Sequence, residues 1–351
     1  MIPRLPAACA TDGTTLWSTP GPGQRQPGSG VLPSGSRSAA STDVTTTVHT
    51  AGAGRRATAG QCRECNMGDR PTPLFTVLLP VHRGPDLLPF ALRSVLDQQR
   101  DDLELLVICD GAPPDTARCA RDFAAADARI TVFDLPKGER NGEAHRDAVL
   151  CEARGSLVAQ IADDDLWFPD HLDELARLLD HCDFGNLTQT DVRPDGRLVP
   201  YVADLGHRPT VERMLRERFN FFGPTAAGYR LSAYRGLAER WSPAPREIWS
   251  DLYMWRKFLR QPGLRFATRH AITSLSLASP LRQGWSMEER RRENGHYAGL
   301  LTTAAGRSTL RAAASGNVAR RAAAGDPATV GHHRPGFLGR ALDRLRRIPR
   351  R

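Results

Sequence analysis

Residues 156–169 read SLVAQIADDDLWFP. A short, mostly apolar run is followed by three adjacent carboxylates, then by Trp167, Phe168 and Pro169. Such a run fits a strand buried on both faces of a parallel sheet. Adjacent like charges repel, so the acids at its end need a reason. A solvated polar turn is the ordinary one. A hard-cation site is the other, because Mg²⁺ and Mn²⁺ prefer carboxylate oxygens and share them with phosphates.

Outward from this stretch the pattern repeats. LFTVLLPV (74–81), LELLVIC (103–109) and RITVFDL (129–135) read as buried strands, and 86–99, 115–126 and 143–153 have helical spacing. Alternating strands and helices imply right-handed β-α-β units. The expected fold class is therefore α/β, a mostly parallel sheet flanked by helices. In such sheets ligands sit beyond the carboxyl ends of the strands, where Asp110-Gly111 and the acidic triplet both fall. Residues 183–300 are less regular. A strand leading into a helix is expected within 220–237, a helix over 247–261 and a strand over 264–270.

Composition narrows the class. Charged residues are 25% and hydrophobic residues 40% of the 351, as in soluble globular proteins. No apolar run approaches the roughly 18 residues of a spanning helix. The start has no continuous apolar segment of the secretory type, so the expected location is cytoplasmic. The net charge of +9 belongs to the ends. Residues 1–66 hold six arginines against three acids and residues 303–351 eleven against two, while the middle is slightly acidic. A nucleic-acid footprint would spread over the folded region, so no specific nucleic-acid partner is expected. The 7 cysteines are odd in number and scattered, which reads as reduced thiols. Cys62 and Cys65 lack the second pair that a zinc site needs.

Three segments follow. Residues 1–70 are rich in Gly, Pro, Ser and Thr without apolar periodicity and are expected to be disordered, with Met1 and Met67 both open as the translation start. Residues 71–300 form the catalytic-type domain. Residues 301–351 are an arginine-rich tail in which Phe337, Leu338, Ala341, Leu342, Leu345 and Ile348 recur at helical spacing. This predicts a short amphipathic helix over 335–351 able to touch the inner face of an anionic membrane.

The ordered series PVHR, CDGAPPDT, GEAHRDAVLCEARGS, ADDDLWFPDHL and SDLYMWRKF resembles the family 2 glycosyltransferases over about residues 74–260. The resemblance implies a GT-A type fold with an irregular acceptor-side half. It also implies a metal-dependent, inverting transfer of a sugar from a nucleotide-diphospho-sugar, UDP-linked, to a hydroxyl of a glycan, lipid-linked or small-molecule acceptor. Pro80, Val81 and His82 stand where the family contacts the nucleotide, with Arg83 beside them. Asp110 matches the carboxylate that accepts the uracil imide N–H, and Arg146 a nucleotide or diphosphate contact. Asp163 is implied for the ribose side. Asp164 and Asp165 are implied as ligands of Mg²⁺ or Mn²⁺, which would neutralise the leaving diphosphate. Asp251, four residues before Trp255, matches the base that deprotonates the acceptor, with Glu247 as fallback. Trp249, Trp285 and FNFFGP (219–224) are candidates for a sugar-stacking wall.

This chain departs from the family's pattern at Ala162 and Cys109, where acids are usual. That leaves open a non-catalytic nucleotide-sugar-binding or scaffolding protein of the same fold. A nucleotidyltransferase would share the sheet. It would carry a Gly-rich basic loop after the first strand, where PVHRGPD stands.

Overall fold

The computed structural model describes residues 45–49, 55–58 and 72–323. Along the chain, the short strands β1 (Thr45–His49) and β2 (Arg55–Thr58) precede β3 (Phe75–Val81), α1 (Leu88–Leu96), β4 (Leu103–Asp110), α2 (Pro114–Ala126) and β5 (Ile130–Leu135). Next come α3 (Glu143–Leu150), β6 (Leu157–Gln160), β7 (Leu166–Trp167), α4 (His171–Leu179) and β8 (Phe184–Thr188). Then follow β9 (Thr190–Val192), β10 (Leu198–Pro200), α5 (Arg208–Arg216), β11 (Ala227–Arg230), α6 (Leu231–Arg235) and α7 (Ser250–Arg260). The last elements are β12 (Phe266–Ile272), β13 (Ser274–Leu275), α8 (Met287–Leu301) and α9 (Ala304–Ala323).

The main sheet runs β12-β8-β11-β6-β3-β4-β5-β1-β2. From β12 to β5 the strands share one direction except β11, which is antiparallel to both β6 and β8. The α/β, mostly parallel expectation is met. Every residue of β4 is buried, as a central parallel strand with helices on both faces requires. Side chains alternate between the faces: Leu78, Leu106, Ile108 and Val158 join one core with α7, while Val77, Leu79, Leu105 and Val107 join another with α1 and α4. Gly155 turns the chain into β6 where a Cβ would stand 2.4 Å from the Thr76 nitrogen, so only glycine fits. Beside it the buried Glu104 carboxylate accepts from Thr76 Oγ1 (2.6 Å), the Arg154 amide (2.6 Å) and Arg154 Nε (2.8 Å), which locks α3 to the sheet.

Two segment expectations change. β1 and β2 lie inside the stretch expected to be disordered; β1 pairs antiparallel with β2 and with β5. TTTVH is β-branched, and the free backbone of an edge strand accepts such a partner. The rest of 1–70 lies outside the described residues. The tail does not begin at 301. α9 packs Leu310 and Ala314 into a third core with α8, β7 and β13. Arg311 Nη2 reaches both oxygens of Asp170 at 2.7 Å, and Asn317 donates to the Leu198 carbonyl. Alanine carries too little apolar area for its periodicity to stand out in the sequence, although it is the best helix former. The helix expected over 335–351 lies outside the described residues. Among the described residues no helix is long and apolar enough to cross a membrane.

Candidate active site

The carboxyl ends of β3, β4, β5 and β6 open onto one cavity of about 460 Å³. Pro80, Val81, His82 and Arg83 line it from the end of β3, Asp110 from β4, and Asp163, Asp164 and Asp165 from beyond β6. Lys137, Arg140 and Asn141 come from the β5–α3 loop, and Arg146 from α3. Trp249, Ser250 and Asp251 close the far side at the start of α7. All nine residues singled out for catalysis, nucleotide binding and metal therefore share one cavity. Glu247, the fallback base, is exposed and does not line it. Of the aromatic wall only Trp249, with Gly223 and Pro224, borders the cavity. Phe221 and Phe222 are core, and Trp285 lines a separate surface groove. Arg282 is buried against Glu293.

Asp110 is 4% exposed. Its Oδ1 accepts the Gly138 amide at 2.6 Å and its Oδ2 meets the Lys137 ammonium. Gly142 starts α3 with φ 68°, and a Cβ there would lie 2.5 Å from Asp110 Oδ2. The loop can wrap this carboxylate only because Gly142 has no side chain. Arg146 donates from Nη1 to the Asn141 carbonyl (2.8 Å) and lies over the Trp241 ring. Burial pulls its pKa down, but a guanidinium remains charged at neutral pH. Burial, with Arg83 and Lys137, likewise lowers the His82 pKa, so that its imidazole is neutral at pH 7.

Asp251 lies in the first turn of α7, and its Oδ1 accepts the Leu252 amide at 2.7 Å. Its Oδ2 lies beside Gly223, 3.9 Å from where a Cβ would stand. The neighbouring Ser250 hydroxyl donates to the buried Glu143, which also accepts the Asn141 amide at 2.9 Å. Asn141 Nδ2 in turn donates to Ser250 Oγ at 2.5 Å. This small network ties the start of α7 to the start of α3, so Asp251 and Arg146 are held by one wall.

The acidic triplet divides its work in a way the sequence does not show. Asp165 accepts Thr225 Oγ1 at 2.5 Å on Oδ2 and the Leu277 amide at 2.9 Å on Oδ1. Asp164 Oδ2 accepts Arg83 Nη1 (3.0 Å), Arg290 Nη2 (2.8 Å) and Ser279 Oγ (2.8 Å). Asp163 Oδ2 lies 2.9 Å from Arg83 Nε. Burial opposes ionisation of Asp164, yet Arg83, Ser279 and Arg290 outweigh it and hold its carboxyl below the usual range. Burial first, and Asp164 second, push Asp163 up to about 7.

The expected metal ligands are already engaged within the protein. Asp165 is a structural carboxylate with both oxygens taken, and the main expected ligand, Asp164, is already held by two guanidiniums and a hydroxyl. Among the described residues no group of three or more His, Cys, Asp or Glu is arranged to hold a metal ion. As placed, Asp163 and Asp164 face Arg83 and Arg290.

Sequence reasoning did not find Arg290 and Asn294 of α8. Arg290 holds Asp164 by its side chain, and Asn294 Nδ2 donates to the Asp164 carbonyl at 3.0 Å. Ser286 and Glu289, a reciprocal capping box at the start of α8, mark the helix in the sequence. Nothing there marks which of its three arginines, Arg290 to Arg292, turns inward. Cys109, where the family has an acid, is buried with its thiol pushed up to about 12, and is inert packing beneath Asp110.

The chain is similar to known proteins over part of its length. Residues 76–237 match the model of Glycosyl transferase family 2. The succinoglycan biosynthesis protein ExoW of Rhizobium meliloti is 35% identical over 100 residues, covering 28% of this chain and 31% of its own. The uncharacterized glycosyltransferase EpsJ of Bacillus subtilis is 28% identical over 93 residues, 26% of either chain. These alignments span less than a third of either relative. The solved structure of S. aureus TarS 1–349 in complex with UDP-GlcNAc is similar with a TM-score of 0.47 and 17% identity, over 70% of this chain and 72% of that one.

Proposed function

We propose that this cavity binds a nucleotide-diphospho-sugar, with uridine diphosphate as the carrier. It transfers the sugar with inversion to a hydroxyl of a glycan, lipid-linked or small-molecule acceptor. One observation carries the reading: Asp110, Arg146, the acidic triplet and Asp251, from separate segments of a chain that matches the family 2 model over residues 76–237, meet in a single cavity.

In this reading each lining residue has a role. Pro80, Val81 and His82 form the floor for the base. Asp110 accepts the imide N–H, since a carboxylate has about four acceptor positions and the Lys137 and Gly138 contacts use two. Lys137, Arg140 and Arg146 line the cavity between Asp110 and Asp251, where a diphosphate following the base would pass. Asp163 and Asp164 position the donor through Arg83. On the far wall, Trp249 and Asp251 receive the acceptor. The acceptor oxygen attacks the sugar C1 while its proton passes to a carboxylate oxygen of Asp251. The C1–O bond to the diphosphate breaks, and the nucleoside diphosphate leaves with the electron pair. One displacement inverts C1. Fixed positive charge beside the departing diphosphate lowers the barrier because it needs no reorganisation as charge develops.

The likeness to ExoW supports a role in polysaccharide synthesis. Peripheral contact at the inner face of the membrane through 335–351 belongs to the same reading. The deciding experiment is thermal denaturation of the full chain with a panel of nucleotide sugars, followed by transfer assays with those that bind. A donor at about 100 times its Kd stabilises by about 2.7 kcal/mol, and a UDP-sugar is expected to do so. If no nucleotide sugar raises the melting temperature, the reading fails. Tight binding without turnover over a broad acceptor panel would favour the non-catalytic relative.

A further inference from the structure

We infer that Arg83, braced by Arg290, takes the place of a divalent cation at the acidic pair, so that the nucleotide diphosphate is bound without metal. The inference deepens the proposed function and rests on it for the identity of the ligand.

A hard cation is drawn to carboxylates by uncompensated charge and by free lone pairs. Both are reduced here, although Asp163 Oδ2, close to Arg83 Nε, accepts no hydrogen bond. Asp164 is ionised and Asp163, pushed up to about 7, only partly so, while Arg83 and Arg290 bring two positive charges to the pair. Arg83 bridges the pair, Nε to Asp163 Oδ2 at 2.9 Å and Nη1 to Asp164 Oδ2 at 3.0 Å. With Arg290 and Ser279 also on Asp164 Oδ2, that oxygen has three donors for its two lone pairs. Asp165 is committed to Thr225 and Leu277.

Neither arginine is placed to step aside. Arg290 is 7% exposed, and its helix is pinned to the triplet by Asn294. The Arg83 carbonyl accepts Thr116 Oγ1 at 2.7 Å, and its Nη1 also donates to Ser279 Oγ at 2.6 Å. What Arg83 retains is Nη2, which has no partner among the described residues, on a side chain 22% exposed at the cavity wall. A planar guanidinium with spare N–H groups suits a phosphate oxygen. The remaining charge of a diphosphate is met by Lys137, Arg140, Arg146, Arg218 and Arg246, all of which line the cavity. Of these, Arg140, Arg218 and Arg246 form no ion pair with a described carboxylate. With Arg83 these make six cations against the five carboxylates of Asp110, Asp163, Asp164, Asp165 and Asp251, so fixed charge at the wall meets part of what a divalent ion would otherwise supply.

The test uses the full chain and two independent readouts. Mn²⁺ titration followed by electron paramagnetic resonance reads the metal directly, without any donor. For the unaltered protein the free-ion signal is expected to stay undiminished. Arg83→Gln uncovers Asp163 and one side of Asp164, so Mn²⁺ binding should appear. Arg83→Lys, which keeps a cation, should stay without it and guards against a merely misfolded variant. The second readout is UDP binding by calorimetry in chelator and in Mn²⁺. The unaltered protein should show affinities within about twofold of each other. Arg83→Gln should lose about tenfold in chelator, the usual cost of one charge-assisted contact (about 1.4 kcal/mol), and recover in Mn²⁺. Stoichiometric Mn²⁺ binding by the unaltered protein, or UDP binding that requires Mn²⁺, overturns the inference. If UDP binds under neither condition, the nucleotide reading falls while the Mn²⁺ titration still decides the charge argument.

Discussion

Replacing Asp251 by Asn tests the proposed chemistry at one atom. Asparagine keeps the shape, and its amide oxygen can still accept the Leu252 N–H that Oδ1 now accepts at 2.7 Å. The structural loss is then confined to a negative charge in the first turn of α7, worth about 0.3–1 kcal/mol against the helix dipole. The donor contacts assigned to Asp110, Arg83 and Arg146 lie on other elements, so the donor Kd should stay within about twofold. Transfer should behave differently, because general base catalysis contributes about 10²–10⁴ in rate, equivalent to about 2.7–5.4 kcal/mol of barrier. The assay is paired: calorimetry for the donor and initial transfer rate for the same preparation, with urea unfolding as the stability control. A rate loss of that size at constant Kd, with a melting shift of only a few degrees, is the expected result. Transfer that is undiminished while stability drops by about 1 kcal/mol would refute the assignment and leave Asp251 as a helix-terminal carboxylate. Glu247 is no substitute, since it faces solvent outside the cavity.

Three further outcomes follow from the geometry. Gly142→Ala places a Cβ 2.5 Å from Asp110 Oδ2 at a residue with φ 68°. UDP affinity by calorimetry should fall about tenfold, with about 1–2 kcal/mol of stability lost to the left-handed backbone, and an unchanged Kd would free Asp110 of its base-reading role. His171 is fully buried, stacked on Trp167 with ring centroids 4.2 Å apart, and burial holds its pKa down from 6.5 to about 3. The unfolded chain therefore binds the proton first: the stability due to neutral His171 is complete above pH 6.5 and is lost as pH falls towards 3, at up to about 1.4 kcal/mol per pH unit. Urea unfolding across that window should be less steep in His171→Leu, and equal slopes would contradict the buried neutral imidazole. Ending the chain at residue 303 removes Leu310, Ala314 and the Arg311–Asp170 pair, and should cost about 3 kcal/mol in urea unfolding. An unchanged midpoint would return that segment to the status of a tail.

Much of the sheet could be read from the sequence. β3, β4, β5 and β6, with α1, α2 and α3 between them, come from apolar runs and helical spacing that local chemistry alone imposes. Their order then places Asp110 and the acidic triplet at the ligand-binding edge. The sequence by itself determined that Asp110 and the acidic triplet assemble there, because a parallel sheet brings the carboxyl ends of its strands together whatever the loops do; Arg146 and Asp251, on helices, were reached only through the family resemblance. Only the tertiary structure decided what those residues can do. The second half is held by β8, β11 and β12, whose partners are distant in the chain, and by α8 and α9, whose inward faces show up only against the third core. From α8 come Arg290 and Asn294, some 126 and 130 positions after the acid they hold. A carboxylate facing two guanidiniums attracts a cation less than a free one does. That charge balance depends on side chains brought together by folding, which no local pattern around ADDDLWFP records.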